Sequence, residues 1–496
     1  MTSTPAPAPV QGALPARPLP PFADQLFGTL WPETGLVARP RLVGAALGVG
    51  LLAAVVLPFR DLGVGTFVVL LALTVTVAAA DPRLRTPYHL VSATLCTLLG
   101  AMTFVRAAEW VVVLCLLAAA AVGVAALVGV RSFEGILAAG FALPLAPVRG
   151  MRWFGRSVAP AKASTSVWLP ALRTAVVSAV LVLVFAALFG SADAVFARWV
   201  GTLVPDLSLD TLFVRGFVTV LVGGLTLAGV YVGLNPPQVE RLALPAGSAV
   251  RRTFEWAVPV LLVVAVFAVF VAAQATVMFG GHAYLHRTTG LTYAAYVHQG
   301  FGQLTVVTLL TLVVVGAAVR KAPRATSRER LLTRAALGVL CLLTLVVVAS
   351  ALYRMHVYEE AYGYTRLRVL VRAFEGWLGL VVVMVLAAVV LLRGTWVPRA
   401  ALLSGAAVLL VLALSNPDAG IARHNLDRPA GSGRLDTTYL EGLSADAAPV
   451  LAKAHLGTSC YAGAAPDATA TSDPDATDDW LEWNLGRHRA PTLPCR

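Results

Sequence analysis

The sequence predicts an all-α, polytopic transmembrane helix bundle of about eleven spans, followed by a small helical and partly disordered C-terminal tail. Of the 496 residues, 58% are hydrophobic and only 13% are charged, whereas soluble domains are roughly 25% charged. The uncharged residues come in blocks of about twenty, the length that a helix needs to cross a hydrocarbon layer of ~30 Å. The lipid bilayer is therefore the predicted environment of most of the chain.

The N-terminal arm and the membrane domain differ sharply in composition. Residues 1–40 are rich in proline and alanine and are predicted to form a disordered cytoplasmic arm, without the charged and apolar regions of a signal peptide. Residues 41–415 are predicted as the membrane domain. Its spans are expected near residues 42–58, 62–80, 88–105, 110–130, 171–190, 211–234, 256–280, 301–319, 335–353, 376–392 and 397–415. Residues 133–147 are apolar but short and contain two prolines, which favours a re-entrant or interfacial element that does not cross.

The basic residues predict the orientation of the chain. The net charge of +12 does not indicate a nucleic-acid partner, because the arginines lie in loops between apolar blocks rather than on one face. Most of them fall in loops that are cytoplasmic if the N-terminus is inside, among them residues 131–173 and 320–334. The protein is expected in the cell membrane. An odd number of crossings then places the C-terminal tail on the extracytoplasmic side.

The tail, residues 416–496, is predicted as an extracytoplasmic C-terminal domain. Its apolar residues Leu435, Tyr439, Leu443 and Ala447 have helical spacing, and residues 462–479 form an acidic, low-complexity insert. Cys460 and Cys495 are the only cysteines of the tail, and in an oxidising compartment we expect them to form a disulfide. The alternative is a pair of free thiols.

Four motifs in the last third of the chain resemble a known family. They are YEEAYGYTRLRVLVRAFEGWLG (358–379), SNPDAGIARHNLDR (415–428), LDTTYLEGLSADAAP (435–449) and DWLEWNLGRHRA (479–490). The chain thereby resembles the bacterial multi-pass membrane proteins described as domain of unknown function 4173, which are related to 4153. The resemblance implies a helical membrane protein and brings neither an activity nor catalytic residues with it.

The segment 353–376 is the most unusual part of the membrane domain, because it places several charges beside apolar spans. One interpretation is an amphipathic helix that lies flat in the outer interface, with tyrosines at headgroup depth and arginines on lipid phosphates. The other is a polar site at the mouth of a cavity, in which Glu359 or Glu360 pairs with Arg366 or Arg368. The candidate polar site comprises Glu359, Glu360, Arg366, Arg368, Arg372 and Arg215.

Three further features have a structural and a functional interpretation. Arg215 lies near the outer end of its span, where it either extends to the headgroups or contacts a ligand. Gln274 is expected to form a hydrogen bond between helices. His282, His286 and His298 form a weak candidate metal site, because two of them are four residues apart but no acidic partner accompanies them. No cofactor is predicted.

Three functions remain open from the sequence. The first is a non-enzymatic membrane protein that transports a small solute or supports the cell envelope. The second is a sensor or scaffold whose outer tail binds a protein partner. The third is an enzyme that acts on lipid-linked substrates with Glu359, Glu360, Arg366 and Arg368. The P-loop, GxSxG and HExxH motifs do not occur in the sequence, so we expect no enzymatic activity.

Overall fold

The described part of the chain is helical throughout. The computed structural model describes residues 27–163 apart from 29, 34 and 35, then residues 209–243, 252–289, 301–428, 435–454 and 479–490, and the single residues Ser178, Leu181 and Phe185. Within these residues all regular structure is α-helix or short 3-10 helix. The predicted all-α membrane bundle is confirmed.

In its described residues the membrane domain consists of consecutive α-helices. They are α1 (Pro40–Val56), α2 (Val64–Ala80), α3 (Pro87–Val105), α4 (Glu109–Val128), α5 (Phe133–Ala139), α6 (Ala142–Ala163), α7 (Leu209–Leu234), α8 (Phe254–Thr289), α9 (Phe301–Lys321), α10 (Ser327–Tyr362), α11 (Arg366–Leu391) and α12 (Val397–Leu414). The tail adds α13 (Pro417–Leu426), α14 (Thr437–Glu441), α15 (Ala448–Lys453) and α16 (Leu485–Arg489).

Eight helices in the described part of the chain are long and apolar enough to cross a membrane, namely α3, α4 and α7–α12. Helices α1 and α2 are also apolar, but each has only 17 residues. Large apolar side chains such as Val220 and Val269 are exposed on the helix surfaces, where lipid covers them. The predicted span 171–190 lies outside the described residues apart from Ser178, Leu181 and Phe185.

The segment 133–147 forms helix α5 and the start of helix α6. Neither helix is among those long and apolar enough to cross. Arg149 of α6 is buried and donates from Nε to the carbonyl oxygen of Trp31 at 2.7 Å. The Trp31 indole is buried and donates to the carbonyl oxygen of Asn235 at 2.6 Å. The prediction of a disordered arm over residues 1–40 is therefore wrong around Trp31, where a buried aromatic ring anchors the chain; residues 1–26 lie outside the described residues.

The helices form two packed groups that α12 connects. Helices α1–α4, α6 and α7 form the N-terminal group, and α8–α11 form the C-terminal group around the buried residues Leu337, Leu340 and Val382. Helix α12 packs against α4 of the first group and α11 of the second.

Helices α1 and α7 approach most closely at Gly50. A Cβ atom on Gly50 would lie 2.5 Å from the carbonyl oxygen of Thr219 and 3.0 Å from the Cα atom of Gly223. Small residues allow such close approach in membranes, where packing rather than the hydrophobic effect holds helices together.

Gly50→Val is expected to separate these helices and to destabilise the protein by about 1–3 kcal/mol, as overpacking does. Gly48→Val is the matched control, since nothing lies within 4 Å of a Cβ atom there. Thermal denaturation in detergent, followed by size-exclusion chromatography, measures the difference. Equal midpoints for the two variants would contradict the close approach.

The described residues of the tail form a cap on one end of the bundle. The cap comprises residues 417–428, 435–454 and 479–490, and we call this end the capped end. Leu440, Leu443 and Leu451 of the cap share one hydrophobic cluster with Leu99 of α3 and Val111 of α4. The tail is therefore not a separate unit in its described residues.

The local structure of the cap differs from the predicted helical pattern. Tyr439 lies in α14 and Ala447 in a 3-10 helix (Ala445–Ala447), while Leu435 precedes both. The four residues therefore do not lie on one continuous helix. Asn416, with φ of 54°, caps α13 by accepting a hydrogen bond from the Ala419 amide. The acidic insert lies outside the described residues apart from Asp479.

Candidate functional site

The unusual segment 353–376 is a helical hairpin at the capped end. Helix α10 ends at Tyr362, Gly363 follows with φ of 82°, and Thr365 caps α11 by accepting from the Arg368 amide. The prediction of a flat interfacial helix is wrong, because Gly363 reverses the chain and both arms continue into span-length helices. The hairpin instead brings charges from two helices together.

Glu359 of α10, which is buried, and Arg372 of α11, whose side chain is partly exposed, form an ion pair across this hairpin. The Arg372 Nη1 atom lies 2.7 Å from Glu359 Oε2, and Glu359 is 0% exposed. The Arg372 guanidinium also lies 5.4 Å from the ring centre of Tyr364, at cation–π distance. Glu359 Oε1 is buried and forms no hydrogen bond among the described residues. One oxygen of the carboxylate thus has a cationic partner, and the other has no hydrogen-bond partner among the described residues.

Glu375 lies one turn further into the membrane on the same face of α11. It is 0% exposed, and its Oε2 atom accepts a hydrogen bond of 2.9 Å from the Thr305 hydroxyl of α9. Its Oε1 atom is buried without a hydrogen bond, and no ion pair to Glu375 occurs within the described residues. The site therefore contains a fully buried carboxyl group that lacks a cationic neighbour in the part of the chain described.

A third polar contact joins α10 to α8. The Arg354 Nη2 atom donates to Gln274 Oε1 at 2.7 Å, and Arg354 is buried. The predicted interhelical hydrogen bond of Gln274 is confirmed. We call Arg354, Glu359, Arg372 and Glu375, with Gln274 and Thr305, the hairpin cluster. It connects all four helices of the C-terminal group.

The remaining candidate residues lie outside this cluster. Glu360 is exposed and pairs with His356 at 3.3 Å, and Arg368 stacks on Tyr358 and donates to the Gly363 carbonyl oxygen. Arg215 donates to the Ala54 carbonyl oxygen of α1, in the other helix group. The predicted pairing of Glu359 or Glu360 with Arg366 or Arg368 is wrong, because Arg372 lies opposite Glu359 and Arg366 points toward the cap.

Arg366 pairs with Asp418 of the cap. Arg366 Nη2 lies 2.6 Å from Asp418 Oδ2, and Nε donates to Oδ1 at 3.1 Å. Trp110 Nε1 and the Ser444 amide also donate to this carboxylate, at 3.0 and 2.9 Å. Burial alone would raise the pKa of Asp418, but the hydrogen bonds from Arg366 and Ser444 and the charge of Arg366 outweigh it and hold that pKa below its ordinary value. Asp418 thus attaches the cap to α4 and α11 as a carboxylate.

A second carboxylate of the cap, Asp446, lies at the start of α4. Its Oδ2 atom accepts hydrogen bonds from the amides of Ala107 and Ala108, at 2.8 and 2.9 Å. These are donors at a helix N-terminus, where negative charge is favourable. Burial nevertheless raises the pKa of Asp446, despite these amides and the nearby Arg106 guanidinium. Nearby, Asn484 donates to the carbonyl oxygens of Thr103 and Arg106 at 3.0 and 2.8 Å.

The opposite pKa directions of the two aspartates predict the acid response of the cap. Because the folded-state pKa of Asp418 is below its ordinary value of 3.8, the contribution of Asp418 to stability is complete above that pH and is lost as the pH falls through the folded-state pKa. Asp446 has the reverse sign, since its folded-state pKa is raised. We expect the cap to stay attached at mildly acidic pH and to detach below the ordinary aspartate range. Hydrogen exchange of the Ser444 amide, corrected for its intrinsic pH dependence, measures this; Asp418→Asn should remove the acid-induced step.

The matched family decides the identity of the chain. A family model described as Domain of unknown function (DUF4153) matches residues 93–454, more than two thirds of the chain. The chain belongs to the DUF4153 family. No curated protein and no solved structure matches it. The resemblance to 4173 stays a prediction.

The DUF4153 match includes most of both helix groups and the first two parts of the cap. The hairpin cluster, Asp418 and Asp446 all lie within residues 93–454, whereas α1, α2 and residues 479–490 lie outside the match. The contacts between hairpin and cap therefore belong to the family domain itself.

The other predicted sites of this DUF4153 protein fall wholly or partly outside the described residues. Cys460, Cys495 and His298 lie outside them, so their disulfide and metal roles stay predictions. His282 and His286 lie in α8, but their side chains are not described. Among the side chains that are described, no group of three His, Cys, Asp or Glu residues is placed to hold a metal ion.

Two residues of the site were missed by the sequence interpretation. Glu375 was placed just before a span that was predicted to begin at 376, although α11 begins at Arg366. The signal was the motif RAFEGWLG, in which a lone glutamate stands among apolar residues. Asp418 was not among the candidate residues, because its pairing with Arg366, 52 residues away, leaves no local pattern in the sequence.

Proposed function

We propose that this DUF4153 protein is a non-enzymatic membrane protein that transports a small polar solute across the cell membrane. The hairpin cluster is its solute site. The observation that carries the proposal is the presence of two fully buried glutamates in span-length helices, each with an oxygen that lacks a partner among the described residues. Ionisable groups inside membranes are costly and mark solute or ion pathways by default.

The depth of Glu375 supports this assignment. Helix α11 has 26 residues, about 39 Å at 1.5 Å per residue, whereas the hydrocarbon layer is ~30 Å thick. Glu375 lies about 13 Å from the start of the helix. Even if the whole excess length of about 9 Å projected at the capped end, Glu375 would still lie inside the hydrocarbon. A carboxyl group at that depth is costly, and one hydrogen bond from Thr305 offsets only part of this cost.

The proposed orientation places the capped end outside the cytoplasm and the N-terminus inside. The other end of the bundle carries the basic residues of α6 and of the connection between α9 and α10, including Arg152, Arg156, Arg324 and Arg328. Basic residues favour the cytoplasmic side. The hairpin cluster then faces the side from which an external solute arrives.

The two alternative functions have weaker support. An enzyme that uses Glu359, Glu360, Arg366 and Arg368 together needs these groups at one surface, but they belong to separate contacts with Arg372, His356, Asp418 and Tyr358. A sensor that acts through a free outer tail needs a tail that is available to a partner. The described cap residues are instead packed against α3 and α4.

Solute-induced currents on solid-supported membranes test the proposal. Proteoliposomes with the full chain are exposed to a panel of amino acids, carboxylic acids, sugar phosphates and polyamines. We expect one class to give a current that empty liposomes lack, and Glu359→Gln to reduce it by about tenfold or more, the effect of losing a charged hydrogen bond. Glu360→Gln, at the adjacent exposed position, should leave the current unchanged. No current with any class, from protein that is monodisperse and inserted, would overturn the transport function.

A further inference from the structure

Glu375 differs in its surroundings from the other buried carboxylates that the structure describes at the capped end. Glu359 has Arg372, Asp418 has Arg366, and Asp446 has two helix amides and Arg106 nearby. Glu375 has a single hydroxyl donor, Thr305, on one oxygen. Its other oxygen is buried and has no hydrogen bond among the described residues. An uncompensated carboxylate at this depth is costly, whereas a neutral carboxylic acid is much less so.

Among the side chains that the structure describes, no charged group on the neighbouring helices neutralises Glu375. On α11 itself, Arg372 is directed to Glu359. From α10, Glu359 and Arg354 face the same region, and Arg354 is directed to Gln274 of α8. Helix α9 contributes Thr305, while Arg320 and Lys321 lie at its far end; α12 has no charged residue between Arg399 and its end at Leu414. Asp418, on α13, is paired with Arg366.

The geometry of the site favours a proton over a metal ion. A hard cation such as Ca²⁺ requires six or more oxygen ligands and Mg²⁺ requires a near-octahedral set. The described residues hold no group of three His, Cys, Asp or Glu that could supply such a set. A proton needs only one oxygen, and Oε1 of Glu375 is available because Thr305 occupies Oε2.

We propose that Glu375 is a proton-binding site, which cycles between carboxylate and carboxylic acid and couples proton movement to the solute. In the binding step, Oε1 forms one O–H bond with a proton from hydronium and releases one water; the reverse step returns the proton to water. Arg372, one turn toward the capped end, senses the change in charge and links Glu375 to Glu359. The coupling role rests on the proposed transport function, whereas the protonation of Glu375 does not.

Infrared difference spectroscopy of the full-length protein in lipid tests the proton site directly. The C=O stretch of a protonated carboxyl group is recorded while the pH is stepped between about 5 and about 9, a range that brackets strongly shifted carboxyl groups. We expect a titrating band from a buried carboxyl group in the wild-type protein and in Glu360→Gln, its absence in Glu375→Gln, and a shifted band in Glu375→Asp, which keeps the group at a different position.

A titrating band that is unchanged in both position-375 variants, or no such band in the wild-type protein, would overturn the proton site. If Glu375→Gln fails to fold, the shift of the band in Glu375→Asp decides the assignment alone. The two proposals fail separately. Solute currents that do not respond to an imposed pH gradient would remove the coupling and leave transport intact. A Glu375 band without any solute current would remove transport and leave the proton site intact.

Discussion

Arg366→Ala is expected to detach the cap from the helices and to destabilise the protein by about 3–5 kcal/mol, because it leaves a buried carboxylate without its cation. Asp418 is 0% exposed and would retain only the Trp110 and Ser444 donors. Asp418→Ala should cost less, since the Arg366 side chain is 35% exposed and water can solvate its guanidinium. The order of the two effects is the distinctive part of the prediction.

Hydrogen exchange of the cap, together with thermal denaturation in detergent, measures both changes. Arg423→Ala is the matched control, because Arg423 lies on the exposed side of α13 in the same cap. We expect faster exchange over residues 435–454 in Arg366→Ala and no change in the control. Equal exchange in wild type and Arg366→Ala would show that the ion pair does not hold the cap.

Arg372→Ala is the second substitution with a large expected effect. It leaves Glu359, which is 0% exposed, without a cation at the end of a membrane helix, at a cost of about 3–5 kcal/mol. Combining it with Glu359→Gln should restore a large part of this loss, because the neutral amide no longer requires a cation. A double-mutant cycle of Glu359→Gln and Arg372→Ala, measured by thermal denaturation, gives the interaction free energy.

Arg393→Ala serves as the control for this cycle, since Arg393 is exposed just beyond the other end of α11. We expect the control to denature like the wild-type protein. Additive effects in the cycle would mean that Glu359 and Arg372 do not interact, and the hairpin cluster would then lose its only ion pair between described residues.

Where the chain is described, the sequence predicted the apolar helices well, because each contains a long block with at most one charged residue, bounded by arginines or turn residues. It predicted the helix ends poorly at the hairpin. The span expected at 335–353 belongs to α10, Ser327–Tyr362, and the span expected from 376 belongs to α11, which begins at Arg366. Hydropathy marks only the stretch that faces lipid. Charged residues that neutralise one another across a hairpin extend the helices without any apolar signal.

The contacts of the cap could not be predicted from local patterns. Asp418 lies 52 residues from Arg366 in the chain, and Asp446 lies 339 residues from Ala107, whose amide donates a hydrogen bond to it. Helical spacing in the tail indicated apolar residues but not their partner, the ends of α3 and α4. The same reason explains why Glu359 was given the wrong arginine: spacing limits the candidate partners, but tertiary packing selects among them.

Cysteine accessibility at positions 360 and 375 tests the central claim most directly. The claim is that Glu360 is exposed at the capped end, whereas Glu375 of the same hairpin lies in the closed interior of the membrane. Single cysteines replace Glu360 or Glu375 in a chain whose five native cysteines are replaced by serine, and intact cells are treated with a membrane-impermeant maleimide. We expect rapid labelling at position 360 and labelling at position 375 only after denaturation. Equal labelling of both positions in intact cells, or labelling of position 360 only in inverted vesicles, would contradict the account.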